Sequence, residues 1–221
     1  MLAAIGIVLP LGLAIALSSV PIMATTFILL SPQRERTTLP FVLGWVIGIF
    51  VVGLAFTAGF RAIPRQSTTV RDPLLGWIEI VLGLGLVGYA VFAWRRTSGA
   101  RPQSTPKWLA AVGKLGPVQA CGLALGMNLR PKALLISATV GVAVNTTDAA
   151  VSGILVALAV YTVVGASTVA IPVVFTYASP DRSERMLLST RSWLAANSSL
   201  VTVIVVAMTG VVTAGNGLGR L

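Results

Sequence analysis

A chain of 221 residues that is 56% hydrophobic and only 10% charged cannot bury its apolar surface in a soluble core of that size; its mean hydropathy is +0.91. The formal net charge of +10 would suggest nucleic acid in a soluble protein, but nearly all the Lys and Arg fall between apolar runs, where they set topology and meet anionic headgroups. No histidine, a single cysteine (Cys121) and six scattered acidic residues speak against a metal site, an internal disulfide and histidine- or aspartate-dependent intramembrane proteolysis.

In chain order, six apolar segments are predicted, at roughly 2–31, 39–60, 74–94, 116–145, 149–177 and 196–215. They are continuous rather than alternating, so helices and not a barrel satisfy the backbone in lipid. The first begins "MLAAIGIVLPLGLAIALSSV", which lacks the basic start of a secretory signal and stays apolar to Leu30; it is read as a retained helix. Segments one and four are the longest, and each contains an internal proline, Pro21 and Pro131. In segment three, Trp77 and Trp94 are about 25 Å apart along a helix, the spacing of two interfacial aromatic belts. Trp108 and Trp193 lie in or beside basic joints.

The joints divide the charges unequally. Arg34, Arg36, Arg95, Arg96, Arg101, Lys107, Lys114, Arg182, Arg185 and Arg191 fall on one side. Arg61, Arg65, Arg71 and Arg220 fall on the other. Ten against four places both termini outside by the positive-inside rule. Asp181 and Glu184 read as a solvated cap at an inner helix end.

The halves echo each other. "ALSSVPIMATTFILL" and "ALGMNLRPKALLISA" carry Pro21 and Pro131 at corresponding places, and Thr37-Thr38 corresponds to Thr146-Thr147. Three helices per half make any such repeat inverted in the membrane. The expected fold is therefore an all-α polytopic membrane protein: six transmembrane helices as two inverted three-helix repeats, with helices 1 and 4 broken at proline. The divisions are 1–97, a basic cytoplasmic linker 98–115, and 116–221.

Each proline removes a donor and pushes its predecessor out of helical geometry, which leaves a half-helix start near mid-membrane. Ser18, Ser19 and Asn128 precede the two breaks and can partner freed backbone groups. Arg130 and Lys132 flank Pro131 about 20 Å from either end of the segment, too deep to reach a headgroup, so a cavity is expected to meet them. Substrate binding is assigned to Arg130, Lys132, Asn128, Pro131, Pro21, Ser18 and Ser19. Glu79, the one acidic residue embedded in a predicted helix, either carries a coupling proton or reaches outer headgroup water, Arg71 or Arg65. Gly44-x-x-x-Gly48, Gly122-x-x-x-Gly126 and Gly83, Gly85 and Gly88 allow close helix approach, or dimerisation.

These motifs resemble the LysE superfamily of exporters, in which a proline motif in helix one and Asn-Pro-Lys in helix four accompany two inverted three-helix repeats. Here the second motif reads Asn128-Leu-Arg130-Pro131-Lys132, with two residues inserted, so either Lys132 or Arg130 takes the role of the family lysine. "PIMATTFILLSPQRERTTLPFVLGWVIG", with "LSP", a basic joint and Phe41-Val-Leu-Gly44-Trp45, is similar to the GAP branch, the peptidoglycolipid- or sulfolipid-addressing proteins of actinobacteria. The resemblance implies export of a cell-envelope glycolipid or lipopeptide across the inner membrane by a secondary transporter. Amino-acid or small-anion export, and an accessory role beside another lipid exporter, are the alternatives. Membrane lipids, an anionic or amphipathic lipid substrate and, as a further option, a second copy of the chain are the expected partners. No catalytic residue, cofactor, metal, ATP site or nucleic-acid partner is expected.

Overall fold

A computed structural model describes residues 2–62, 73–97, 112, 115–147, 149–178, 189, 203–204 and 206–218. The expectations for Arg65, Arg71, Trp108, Trp193, Asp181, Glu184 and most of the basic linker fall outside these residues. The described residues form helices, with no strand among them. We number them α1 (Leu2–Ala16), α2 (Ser19–Leu29), α3 (Arg34–Arg61), α4 (Pro73–Thr97), α5 (Pro117–Met127), α6 (Pro131–Asn145), α7 (Val151–Ala178) and α8 (Val206–Leu218).

Three helical spans, Arg34–Arg61, Gly76–Arg95 and Val151–Ala178, are long and apolar enough to cross a membrane, and the bent pair α1/α2 makes a fourth. The others, α5, α6 and α8, are shorter apolar helices. Three helices, α4, α5 and α6, open on proline, whose missing N–H is one of the donors a helix start leaves unpaired anyway. Helix α1 stops where Ser18 adopts an extended conformation, φ −91° and ψ 114°, and the chain resumes as α2 at an angle of 56°.

Helix α3 is the centre of the bundle and packs against α2, α5, α6 and α7. Its two faces differ in chemistry. Phe41, Trp45 and Ile49 repeat every four residues on the buried side, while Leu39, Leu43 and Ile47 are exposed on the opposite side, as a lipid-facing surface requires. The seat for α5 is Gly44 and Gly48. A Cβ at Gly44 would lie 2.6 Å from the Cys121 carbonyl oxygen, and one at Gly48 would collide with the Asn128 amide. This pair therefore packs within the chain. Gly83 serves α4 in the same way against α8 at Gly210 and Ala214. Gly88, Gly122 and Gly126 do not serve close approach, because nothing lies within 4 Å of a Cβ at any of them; the last two sit on an open face of α5 with Val118 and Leu125. The other core contacts are α1 on α7 and α6, α2 on α7, α4 on α6, and α6 on α7.

Polar side chains bind this apolar bundle from within. Asn145 of α6 donates to the Thr57 carbonyl of α3 and the Gly141 carbonyl of its own helix, both at 2.8 Å. Ser137 of α6 and Tyr161 of α7 share a hydrogen bond of 3.2 Å. Threonines at 25, 26, 57 and 162 donate to the carbonyl four residues back, which spends their hydroxyls without a partner helix. Glu79 is 3% exposed, on a turn of α4 where Gly217 of α8 packs against Gly76 and Ile80.

Candidate functional site: a cationic cavity between two helix breaks

At the second break every carbonyl of the last turn of α5 has a donor. Asn128 Nδ2 reaches Ala124 O at 3.0 Å, Asn128 N reaches Leu125 O at 3.0 Å and Leu129 N reaches Gly126 O at 3.1 Å. The fourth, Met127 O, accepts from Arg130 Nε at 3.1 Å. Arg130 itself is extended, φ −73° and ψ 149°, as a residue before proline must be. Pro131 is then the first residue of α6, and no side chain caps the new helix start. Its unpaired N–H groups and the positive end of its dipole lie beside Arg130 and Lys132.

The first break is built differently. Leu17 N donates to Leu13 O at 2.9 Å and Ser18 N to Ile15 O at 3.1 Å. The Ala16 carbonyl accepts from Thr168 Oγ1 of α7 at 2.7 Å. Here the interruption falls at Leu17–Ser18, upstream of Pro21, so Pro21 is the third residue of α2 instead of the point of breakage. A proline in the first turn takes nothing from the helix ladder.

Between the breaks lies a cavity of about 100 Å³. Ser18 contributes from the first break, Met127, Arg130 and Lys132 from the second, and Trp45 of α3 and Tyr89 of α4 complete the wall. No acidic side chain lines it among the described residues. Lys132 is 7% exposed and Trp45 is 2% exposed. Lys132 Nζ and Trp45 Nε1 are buried without a hydrogen-bond partner among those residues. A buried donor left unmatched costs about 1–3 kcal/mol, and more when it is charged. Two such donors at one small cavity, with a second cation beside them, form an arrangement that an anion would complete.

Of the residues singled out from sequence, Ser18, Arg130 and Lys132 come together at this cavity. Asn128 is buried behind it, tied to α5 and seated on Gly48. Pro21 and Pro131 position the half-helices but are not in the wall, and Pro131 is exposed. The side chain of Ser19 lies outside the described residues. Glu79 is buried on α4 away from the lining. The sequence reading missed Trp45 and Tyr89. Trp45 stood out only as part of Phe41-Val-Leu-Gly44-Trp45, and its place on the buried Phe41–Ile49 stripe was the available signal. A larger hollow of about 310 Å³ by Ala55, Phe56, Gly59 and Phe60 offers no polar side chain to orient a ligand.

Interrupted helices that meet at a buried cationic cavity define a multi-pass helical membrane protein with an anion-compatible interior. The family model of Sap, the sulfolipid-1-addressing protein, matches residues 8–219, and the chain belongs to that family. Comparison with curated proteins and with solved structures gave no match.

Proposed function

We propose that the chain is a secondary transporter, not an enzyme, that exports a cell-envelope glycolipid or lipopeptide across the inner membrane. The observation that carries this reading is the buried Lys132 ammonium, without a hydrogen-bond partner among the described residues, at a cavity between two helix breaks. The Sap family points to a lipid of the cell envelope as the cargo. At about 100 Å³ the cavity admits the charged group of a headgroup while the rest of the lipid stays outside it, since a drug-sized ligand needs a pocket of roughly 300–1,000 Å³. Its small size favours one second reading, export of a small anionic solute of the amino-acid type.

The architecture in this proposal is six spans in two inverted repeats, placed in the LysE superfamily, with both termini outside. Most of the helix contacts support it, although α1–α6 has no comparable counterpart between α5 and α2. Exchanging α1, α2 and α3 for α5, α6 and α7 carries the contact α1–α7 onto α5–α3, α2–α7 onto α6–α3 and α2–α3 onto α6–α7. The pair α3–α7 maps onto itself, as the contact nearest a two-fold axis does.

The test is transport by the purified full chain in liposomes, with an anionic glycolipid in one arm and glutamate in the other. We expect glycolipid movement without any partner protein, lost in Lys132→Ala. Glutamate movement alone would establish the second reading. Movement of neither, in correctly inserted protein, would reduce the chain to an accessory of another exporter.

A further inference from the structure

Trp45 and Lys132 belong to different helices, α3 and α6, yet both line the same cavity and each has a buried donor with no partner among the described residues. Packing alone does not explain this. A core tryptophan normally finds an acceptor for its indole N–H, and α3 could fill the same space with phenylalanine. Bundle helices elsewhere in the chain satisfy their buried polar groups with care: Asn145, Asn128 and Thr168 all reach carbonyls. Trp45 Nε1 and Lys132 Nζ, neither with a partner among the described residues, belong to residues of one cavity wall. The cavity volume of about 100 Å³ suits a compact ion or group better than a whole lipid headgroup. The wall supplies donors of both kinds, a charged ammonium and a neutral N–H, next to the uncapped start of α6.

We infer that the cavity is a binding site for one compact oxyanion, a sulfate or phosphate, held jointly by Lys132 Nζ and the indole N–H of Trp45. Lys132 supplies charge, and Trp45 supplies a rigid donor that fixes where an oxygen sits. Arg130 adds charge from the rim, while its Nε stays committed to Met127 O. The oxyanion is either the terminal group of a lipid headgroup or the free inorganic ion. The inference rests on the transporter reading only for the first of these sources.

The test uses the full chain in detergent micelles and reads thermal unfolding and tryptophan fluorescence. One arm titrates potassium sulfate and phosphate against chloride at constant ionic strength. The other dopes the micelles with a sulfated galactosylceramide, with uncharged galactosylceramide as control. A ligand of the folded state raises the unfolding midpoint in proportion to its occupancy. We expect saturable stabilisation in at least one arm, at least about tenfold weaker in Trp45→Phe and absent in Lys132→Met, because removing a donor to a charged group costs a factor of that order. Trp77→Phe, at an exposed tryptophan, serves as the control and keeps full affinity. If Trp45→Phe does not fold, benzothienylalanine at position 45, with sulfur in place of N–H, reads the same loss. Saturation by the sulfated lipid alone assigns the site to a headgroup. Saturation by the free ion alone assigns it to inorganic oxyanion and removes the lipid-transport reading while the site stands. Equal affinity in wild type and Trp45→Phe, chloride binding as tight as sulfate, or no binding in either arm overturns the inference. Transport that fails in Lys132→Ala while sulfate affinity ignores Trp45 would leave the transporter reading intact and remove only this one.

Discussion

Asn145 and Lys132 are both buried polar residues of α6, thirteen positions apart, but their chemistry differs. Asn145 gives its amide protons to two carbonyls, one of them across the helix interface at Thr57. Lys132 gives its protons to nothing among the described residues. The first arrangement stabilises the bundle; the second stores an unfavourable charge in it. Substitution should therefore act with opposite signs. Asn145→Leu should lower stability, by about 0.6–1.7 kcal/mol for the interhelical bond, and leave anion affinity unchanged. Lys132→Met removes a buried charge that has no partner among the described residues while keeping most of the stem, so it should raise the unfolding midpoint of the ligand-free protein and abolish anion binding. Thermal unfolding of the two variants, with and without sulfate, checks both signs. A Lys132→Met variant less stable than wild type would mean that the ammonium has a structural partner in the bundle.

The two broken helices differ as elements more than their sequences suggest. Arg130 is extended because Pro131 follows it, so the second break depends on that ring. The first break falls at Leu17–Ser18 and is held by Thr168 from α7, with Pro21 already inside the next helix. Pro131→Ala should allow α5 to continue into α6, displace Lys132 from the cavity and weaken anion binding at least about tenfold. Pro21→Ala should stay within about twofold, and titration of each variant with sulfate measures the contrast. Equal losses would return Pro21 to the role first read for it. This difference also marks how far the sequence could be followed. Hydropathy located the helical segments, and Pro131 between Arg130 and Lys132 announced an interruption, because these are local signals. The bond from Thr168 to Ala16 and that from Asn145 to Thr57 join residues 152 and 88 positions apart, and no local pattern encodes them. Trp45 is a similar case. Its burial follows from periodicity, but its unmatched N–H becomes visible only when α6 brings Lys132 to the same hollow.

For the molecule as a whole, the outstanding variable is which way it sits in the membrane. Helix α3 decides it most directly, since its 28 residues extend about 42 Å, longer than the roughly 30 Å hydrocarbon layer. Exposed Arg34 and Arg36 stand at one end and exposed Arg61 at the other, so its own flanks carry two cations against one. The remaining joints extend the bias to ten against four, so the positive-inside rule predicts the Arg34 end in the cytoplasm. In a Cys121→Ala background, which removes a sulfur packed at Gly44 and adds no bulk, single cysteines at Gln33 and Ala62 report the two ends of this helix. Both positions are exposed. An impermeant maleimide should label Ala62→Cys in intact cells and Gln33→Cys only in inverted vesicles. The reverse pattern would turn the chain over, so that α1 and α6 run the other way and a headgroup bound at Lys132 arrives from outside. Labelling of both from one side would mean that α3 does not span at all, and the cavity behind Trp45 would then face an interface instead of the bilayer core.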